Sequence, residues 1–174
     1  GVGQGTTTRE FAELTGTLYA KGGNGGMYSA PAGSEGGSGR GVPGIANTGG
    51  GGSSNYWGNG GAGGSGIVVI RRAKSTCIGE TKIFCFSYTG TYNLENQTTD
   101  NWKIKFLSSG ILIAASQLNI DVFLVGGGGG GGSGAGGGGG GGYTTTQLGI
   151  SPIKYSSYTI TIGAGGAKGT SDGA

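Results

Sequence analysis

The chain contains an almost uninterrupted run of glycine from Gly126 to Gly142, GGGGGGGSGAGGGGGGG. No side chain in this run is larger than the hydroxymethyl group of Ser133, so the run cannot contribute to a hydrophobic core, to acid–base chemistry or to a metal site. Three interpretations are open: a flexible linker, a nucleotide-binding turn, or a structure held by backbone hydrogen bonds alone. Ordering such a run costs roughly 1–2 kcal/mol of backbone entropy per residue, and glycine lies at the high end of that range.

The apolar residues argue against a simple linker. Glycine supplies 48 of the 174 residues, a composition that usually indicates disorder. The hydrophobic fraction is nevertheless 33%, and it is concentrated in short runs that border the glycine tracts, such as GIVVIRR, NIDVFLV and YTITIGAG. Charged residues make up only 11% of the chain, so charge repulsion does not extend it. A linker remains the simplest alternative to an ordered glycine structure.

Alternating apolar and polar residues predict β-strands in the rest of the chain. Trp102, Ile104 and Phe106 alternate with two lysines, as in a strand with one buried face. We expect these three side chains to share a core with Phe84 and Phe86. No sustained period of 3.6 residues is present, and REFAELTG is the nearest helical candidate. The predicted fold is therefore mostly β, an antiparallel β unit plus a bundle of polyglycine-II helices, with essentially no α-helix.

The glycine run does not match a nucleotide-binding turn. NIDVFLVGGGGGG resembles a strand entering a GxGxxG turn, but that motif requires a following helix that presents its N-terminus to the phosphates. Here glycine continues to Gly142 and the strand-like YTTTQLGI follows. GAGGAKGT is not a phosphate-binding loop either, because Ala167 precedes Lys168. We expect no nucleotide and no other cofactor.

The polar residues do not predict catalysis or metal binding. The chain has no histidine, and its eight carboxylates are spread along the sequence without a pairing pattern. We therefore predict that the protein is not an enzyme and has no metal site. Cys77 and Cys85 are spaced so that they could close a small disulfide loop, and two buried free thiols on separate strands explain them equally well.

Net charge and hydropathy restrict the partners. The formal net charge of +3 is small and the basic residues are scattered, so we predict no nucleic acid. The exceptions are Arg71, Arg72 and Lys74, and Lys103 with Lys105, which alternate with apolar residues as on a solvent-facing strand. No apolar run approaches the roughly 20 residues of a membrane helix, so we predict no membrane insertion. The sequence begins with glycine and shows no signal peptide, which suggests an excerpt or a processed product.

Polyglycine can form an ordered structure without side chains. In the left-handed threefold helix, with about 3.1 Å rise per residue and no internal hydrogen bonds, every N–H and C=O points sideways and can pair with a parallel neighbour. The N-terminal tracts GGNGG, GGSGRG, NTGGGGSS and GNGGAGGSG and the C-terminal GAGGAKG are the candidate partners. Because the interior of such a bundle excludes Cβ atoms, we expect valine at Gly129 or Gly139 to abolish folding, whereas Ala135→Ser is tolerated.

These tracts resemble a known class of module. FLVGGGGGGGSGAGGGGGGGY, YTITIGAGG and NTGGGGSSNYWGNGGAGGSGIVVIRR are similar to the glycine-rich modules of phage tail-tip and tail-fibre proteins and of related prophage proteins. YTGTYNLENQTTDNWKIKFLSSGILI resembles the β unit that precedes them, and the glycine-rich extracellular domain of the anaplastic lymphoma kinase family is a more distant likeness. The resemblance implies a non-enzymatic polyglycine-II bundle used for adhesion or as scaffold.

The order of the pieces departs from that pattern. Residues 1–72 resemble the closing half of a glycine-rich module, 73–118 a small antiparallel β unit, and 119–174 the opening half of a module. Three explanations are open: one unit of a tandem array, a permuted chain whose termini meet, or a subunit completed by its neighbour. Unpaired glycine tracts need backbone partners, which favours head-to-tail or tandem assembly of copies.

The predicted function is therefore structural and adhesive. We expect a subunit of an extracellular or virion fibre, with copies of itself as partners and a cell-surface glycan or protein receptor as a further candidate partner. The alternative is a stand-alone carbohydrate-binding or phage receptor-binding adhesin domain. Its mark would be exposed aromatic side chains, for which the candidates are Tyr28, Tyr56, Trp57 and Tyr143. The simpler role for Trp57 is to cover the edge of the glycine bundle.

Overall fold

The computed structural model of the protein describes residues 8–25, 40–72, 86–96, 102–115, 119–134 and 136–170. Across these residues the chain is mostly β and contains no α-helix, as predicted. The helical candidate REFAELTG forms only a three-residue 3-10 turn, Glu10–Ala12. Phe11 and Ala12 have positive φ angles of 53° and 59°, so the backbone cannot continue there as a right-handed helix.

The described part of the chain contains eight strands in two antiparallel sheets. One sheet has five strands in the order β3-β4-β1-β6-β7, and the other has three in the order β2-β5-β8. The strands in chain order are β1 (Ile67–Arg72), β2 (Phe86–Tyr88), β3 (Tyr92–Glu95), β4 (Lys103–Phe106), β5 (Gly110–Ala114), β6 (Ile120–Val125), β7 (Thr144–Ile150) and β8 (Ser157–Ile160).

The chain separates into two compact units. The glycine unit consists of the described parts of Gly1–Ile67, Val125–Thr144 and Gly163–Ala174. The two-sheet unit consists of the described parts of Val68–Leu124 and Thr145–Ile162. Residues from both predicted half-modules, 1–72 and 119–174, therefore contribute to the glycine unit. The predicted boundaries after residues 72 and 118 divide the chain into two half-modules and a β unit, and this division stays a prediction.

Strand register in the two-sheet unit places the alternating apolar residues on shared faces. Along β4, Phe106 lies opposite Val68 of β1 on one side and opposite Tyr92 of β3 on the other. In the smaller sheet, Leu112 of β5 pairs with both Tyr88 and Tyr158. Because side chains alternate between the faces of a strand, these registers direct one apolar face of each sheet into a common core.

The core contains the residues that the alternation predicts. Its buried members come from both sheets and from the residue before β4: Val68, Ile70, Trp102, Ile104, Phe106, Leu112, Ala114 and Ile120. Phe86 packs against this cluster, which confirms its predicted place beside Trp102, Ile104 and Phe106. Phe84 lies outside the described residues. The core is aromatic where β2 faces β4, since the rings of Tyr88 and Phe106 are 4.6 Å apart in an edge-to-face arrangement.

Polar side chains also form hydrogen bonds that link neighbouring strands and a loop of the two-sheet unit. Burial raises the pKa of the Tyr88 hydroxyl, which donates a hydrogen bond to the carbonyl oxygen of Ser108. The buried carboxylate of Asp121 on β6 accepts a hydrogen bond from Arg71 of β1 at 3.0 Å and another from the Gly149 amide of β7, also at 3.0 Å. Asp121 therefore joins three neighbouring strands of the larger sheet.

Two of the basic residues read from the sequence as solvent-facing are paired with acids. Arg71 forms its ion pair with Asp121, and the Lys105 ammonium lies 2.8 Å from the Glu95 carboxylate on the neighbouring β3. The side chains of Arg71 and Lys105 are both largely covered, with exposed fractions of 26% and 16%. These two cations therefore serve cross-strand pairing in the sheet.

Truncation of Phe106 tests this core. The Phe106 side chain is fully buried, so Phe106→Ala should lower the free energy of unfolding by about 3–5 kcal/mol. Urea denaturation followed by circular dichroism measures the loss. The matched control is Ile111→Ala on the exposed face of β5, for which we expect less than about 1 kcal/mol. Equal losses for the two variants would contradict the assignment of the inner face.

Candidate functional site

Among the described residues of the glycine unit, seven segments are joined to one another by backbone hydrogen bonds. They are named in chain order g1 (20–25), g2 (41–44), g3 (49–55), g4 (59–66), g5 (126–133), g6 (136–143) and g7 (163–170). Among the described residues, no backbone hydrogen bond joins two residues of the same segment. Their backbone hydrogen bonds run between segments, so each segment depends on its neighbours for partners.

Segment g3 is bonded to five other segments. Its amides donate to g1, g2, g4 and g5, for example from Gly51 to the Lys21 carbonyl oxygen and from Gly52 to the Gly129 carbonyl oxygen. Its carbonyl oxygens also accept from g6, since the Gly139 amide donates to Gly52 at 2.7 Å. A strand inside a β-sheet has hydrogen-bonded neighbours on two sides only. The glycine unit therefore extends its hydrogen bonding in more directions than a sheet allows.

Where two or more hydrogen bonds run in the same direction between two segments, their donors recur every third residue. From g4 to g7 the donors are Gly60, Gly63 and Gly66, at 2.9, 2.9 and 3.0 Å from their acceptors. From g5 to g6 they are Gly126, Gly129 and Gly132, and from g5 to g4 they are Gly128 and Gly131. One residue in three thus faces each neighbour, which is the period of a backbone with three residues per turn.

The same period governs where a side chain would fit. A Cβ atom at Gly131 would lie 2.0 Å from the Ser53 carbonyl oxygen, and one at Gly139 would lie 2.0 Å from the Gly129 carbonyl oxygen. By contrast, a Cβ atom at Gly137 or Gly140 meets nothing within 4 Å. In g4 and g6, close backbone approach therefore requires glycine at two of every three positions, and the third position can hold a side chain.

This finding refines the expectation for valine substitutions. At Gly139 the clash is with a backbone oxygen, so the expected loss of folding stands. At Gly129 the nearest atom to a Cβ would be the Gly140 amide nitrogen at 3.3 Å, which is tight but does not require a large shift. The run is therefore not uniformly intolerant of side chains. Ala135 lies outside the described residues.

The sequence contains a signal for this three-residue period that neither the strand alternation nor the glycine content reveals. In g4 the residues at the roomy positions are Asn59, Ala62 and Ser65, each separated from the next by two glycines. Segment g7 has the same three-residue spacing, with Ala164, Ala167 and Thr170. A non-glycine residue at every third position in a glycine tract would have predicted both the threefold period and the face that has room.

The candidate ligand-contacting aromatics do not form one platform. Tyr56 and Trp57 follow Asn55, which pairs with Ser133 at one end of g5. Tyr143 accepts a hydrogen bond from Gly126 at the other end of g5. Trp57 is 72% exposed and Tyr143 79% exposed, so neither covers buried backbone. Tyr28 lies outside the described residues.

Tyr56 and Trp57 themselves form a small exposed pair. Their ring centroids are 4.7 Å apart and their planes are inclined by 73°, an edge-to-face arrangement. The Asn55 side-chain oxygen accepts a hydrogen bond from the Trp57 amide and so orders the turn that carries the pair. Because the two ring planes are nearly perpendicular, one planar or pyranose ligand can lie flat on only one of the two rings.

Three further expectations from the sequence concern a disulfide, metal binding and membrane insertion. Cys77 and Cys85 both lie outside the described residues, so their disulfide stays a prediction. Within the described ranges, no group of three or more acidic or thiol side chains is arranged to hold a metal ion. The same ranges contain no helix of the length and apolar character needed to cross a membrane.

Paired alanine substitutions test the threefold period. Gly131→Ala should lower the free energy of unfolding by about 3 kcal/mol or more, because the new methyl group would overlap the Ser53 carbonyl oxygen. Gly140→Ala is the matched control in the same run. It should leave stability unchanged or raise it by about 0.4–1 kcal/mol, since alanine restricts the unfolded chain. Thermal melts of the two variants measure the contrast, and similar melting temperatures would contradict it.

Comparison with known proteins agrees with the glycine-rich character of this unit. Residues 108–174 match the sequence model of a family described as a glycine-rich domain. The matched part covers less than half of the chain and runs from just before β5 through g5, g6 and g7. No curated protein and no solved structure matched the chain. The C-terminal part is thus similar to a glycine-rich module.

Proposed function

We propose that the glycine unit is a bundle of polyglycine-II helices, and that the chain is a non-catalytic structural and adhesive subunit of an extracellular or virion fibre. The observation that carries this proposal is the spacing of three residues in the hydrogen bonds between glycine segments. A polyglycine-II helix has three residues per turn, so its N–H and C=O groups point in three directions and bond to several neighbours. The five neighbours of g3 fit this geometry.

The chemistry of the glycine unit supports a mechanical role. Its interior is backbone, and the carbonyl oxygens that would meet a Cβ atom lie too close to leave space for a substrate. Catalysis requires acids, bases or nucleophiles in a pocket, and the glycine residues that make up most of these segments supply none of these groups. A block of backbone cross-linked by hydrogen bonds in several directions is suited to bearing load and to holding loops at fixed positions.

Amide hydrogen exchange tests the bundle. We expect slow exchange at Gly139 and Gly142, whose amides donate to g3, and fast exchange at the intervening Gly140, for which no acceptor is described. Protection should therefore recur every third residue along g6. A flexible linker would exchange fast throughout g6, and a β-strand would give protection that alternates with a period of two. Either pattern would reject the polyglycine-II assignment.

The arrangement of partners bears on the rotated order of the chain. Segments g3 and g4, from the predicted closing half, bond within the same chain to g5, g6 and g7 of the predicted opening half. Gly52 donates to Gly129, and Gly66 donates to Gly163. These pairs support a permuted chain as the source of the rotated order. Head-to-tail or tandem assembly, which we retain as part of the proposal, would then join copies that are each complete.

Assembly is measured by light scattering of the chain at rising concentration, combined with electron microscopy. Copies joined head to tail by a repeating, non-closing contact should grow into filaments whose mass rises with concentration. Gly140→Ala, which should leave the fold intact, serves as a control that the mass change is not caused by unfolding. A constant monomer mass at all concentrations would limit self-association to tandem copies within a longer chain.

A carbohydrate-binding role is the second candidate. It is favoured by the exposed pair Tyr56 and Trp57, since indole and phenol faces that protrude from an ordered turn can stack on sugar rings. Trp57→Ala should abolish glycan binding on an array without changing the melting temperature, because the side chain is 72% exposed. Tyr143→Ala is the control at the opposite end of g5. Unchanged glycan binding in Trp57→Ala would exclude the pair as the contact.

A further inference from the structure

The two sheets of the two-sheet unit differ in width, and this leaves part of the larger one poorly covered. Phe86 and Tyr88 of β2 contact Tyr92 of β3 and Phe106 of β4, with ring centroids 4.6 to 6.5 Å apart. The three-stranded sheet is thus placed over the β3–β4 side of the five-stranded sheet. The inner faces of β6 and β7, at the other side, have fewer strands above them.

An apolar cavity lies at that side. Its volume is about 370 Å³, and it lies between β1, β6 and the end of β7 on one side and β5 and β8 on the other. The loop that joins β7 to β8 forms a further wall through Pro152 and Ile153. Val122 and Leu124 of β6 line the cavity and are only partly buried, although the neighbouring Phe123 is 2% exposed. The cavity volume lies at the lower end of the roughly 300–1,000 Å³ typical of small-molecule sites.

The walls restrict the chemistry of an occupant. The lining is aliphatic over most of its area, and no charged side chain belongs to it. Two of its polar groups are already engaged, because the Tyr158 hydroxyl accepts a hydrogen bond from the Ile153 amide and the Ser151 hydroxyl donates to Asn119. Water needs two to four polar partners to be stable in a cavity, so this space suits hydrocarbon better than water.

The shape of the space favours a chain over a compact ring system. The lining residues of β6 extend from Ile120 to Leu124, roughly 13 Å along the strand at about 3.3 Å per residue. In the other direction the cavity occupies the layer between two packed sheets, which is about one side-chain pair thick. On the smaller sheet it is bordered by the edge strand β8, where Tyr158 and Ile160 point inward and Thr159 alternates with them.

We propose that this cavity binds the alkyl chain of an aliphatic ligand, with the chain along β6 and its polar head at the edge of the smaller sheet formed by β8. The site is separate from the glycine segments and does not depend on the fibre function. The alkyl chain is the recognised chemistry, and it could come from a neutral lipid or from a fatty acid. Two cations are adjacent in sequence to the lining: Arg71, which is paired with Asp121, and Lys154 in the β7–β8 loop, whose ammonium lies 4.8 Å from the Tyr155 ring centroid; Lys154 is the candidate that could favour a carboxylate head.

Isothermal titration calorimetry of the whole chain with decanol, a neutral alkyl probe, tests the site. We expect saturable binding of one decanol per chain. Val122→Phe places a ring in the cavity and should weaken binding by about tenfold or more, equivalent to about 1.4 kcal/mol. The matched control is Ile111→Phe, on the exposed face of β5 outside the lining, which should bind as the parent does.

A second variant and a second measurement guard against misfolding. If Val122→Phe melts early, Leu124→Phe fills the same space from the next inward position of β6. In the parent protein, decanol should shift the methyl resonances of Val122, Leu124 and Ile160 in preference to those of Ile111 and Ile113. Comparison of decanol with decanoate, in the parent and in Lys154→Gln, assigns the head group: tighter decanoate binding that is lost in Lys154→Gln indicates a fatty acid.

Three results would overturn the proposal. The first is no saturable binding by the parent, and the second is parent-like binding by folded Val122→Phe and Leu124→Phe. The third is binding that disappears as protein concentration and particle mass rise together, which would assign the cavity to a second copy of the chain.

Discussion

Backbone hydrogen bonds in more than two directions are the interaction on which the glycine unit depends. At Gly131 and at Gly139, a carbonyl oxygen lies only 2.0 Å from the position that a Cβ atom would take, so the segments approach each other more closely than side chains permit. That approach allows g3 to bond to five neighbours. Glycine is therefore selected here for the absence of a side chain, and the entropy lost in ordering it is offset by hydrogen bonds on every side.

The two-sheet unit depends on a different force, the burial of apolar side chains. Phe106, Ile104 and Leu112 are buried between sheets whose registers place them on facing surfaces. The packing is uneven because the aromatic residues gather above β3 and β4, and the aliphatic ones line a cavity above β6. One chain thus combines a backbone-bonded unit that excludes side chains with a side-chain-packed unit that does not completely fill its core.

Local patterns in the sequence were sufficient to predict the presence of strands and several residues of the core. Alternation placed Trp102, Ile104 and Phe106 in the core because period-two burial is a local property. The order β3-β4-β1-β6-β7 was not predictable, since it joins strands that are distant in the chain. The ion pair between Arg71 and Asp121 follows from that order, and so alternation alone marked Arg71 as solvent-facing. In the glycine segments, composition suggested a structure held by the backbone, but only the spacing of Asn59, Ala62 and Ser65 indicated its three-residue period.

The bundle and the exposed aromatic pair are connected by the way g3 ends. Asn55 donates its amide to Gly132 of g5, and its side chain accepts from the Trp57 amide. Segment g4 begins two residues after Trp57 and is bonded to g2, g3, g5 and g7. The turn with Tyr56 and Trp57 is therefore anchored at both ends by backbone bonds, although its side chains are exposed. A backbone-bonded unit that fixes the position of a short exposed turn lowers the entropy lost when that turn binds a ligand, and this is the physical link between the two parts of the proposed function, scaffold and adhesion.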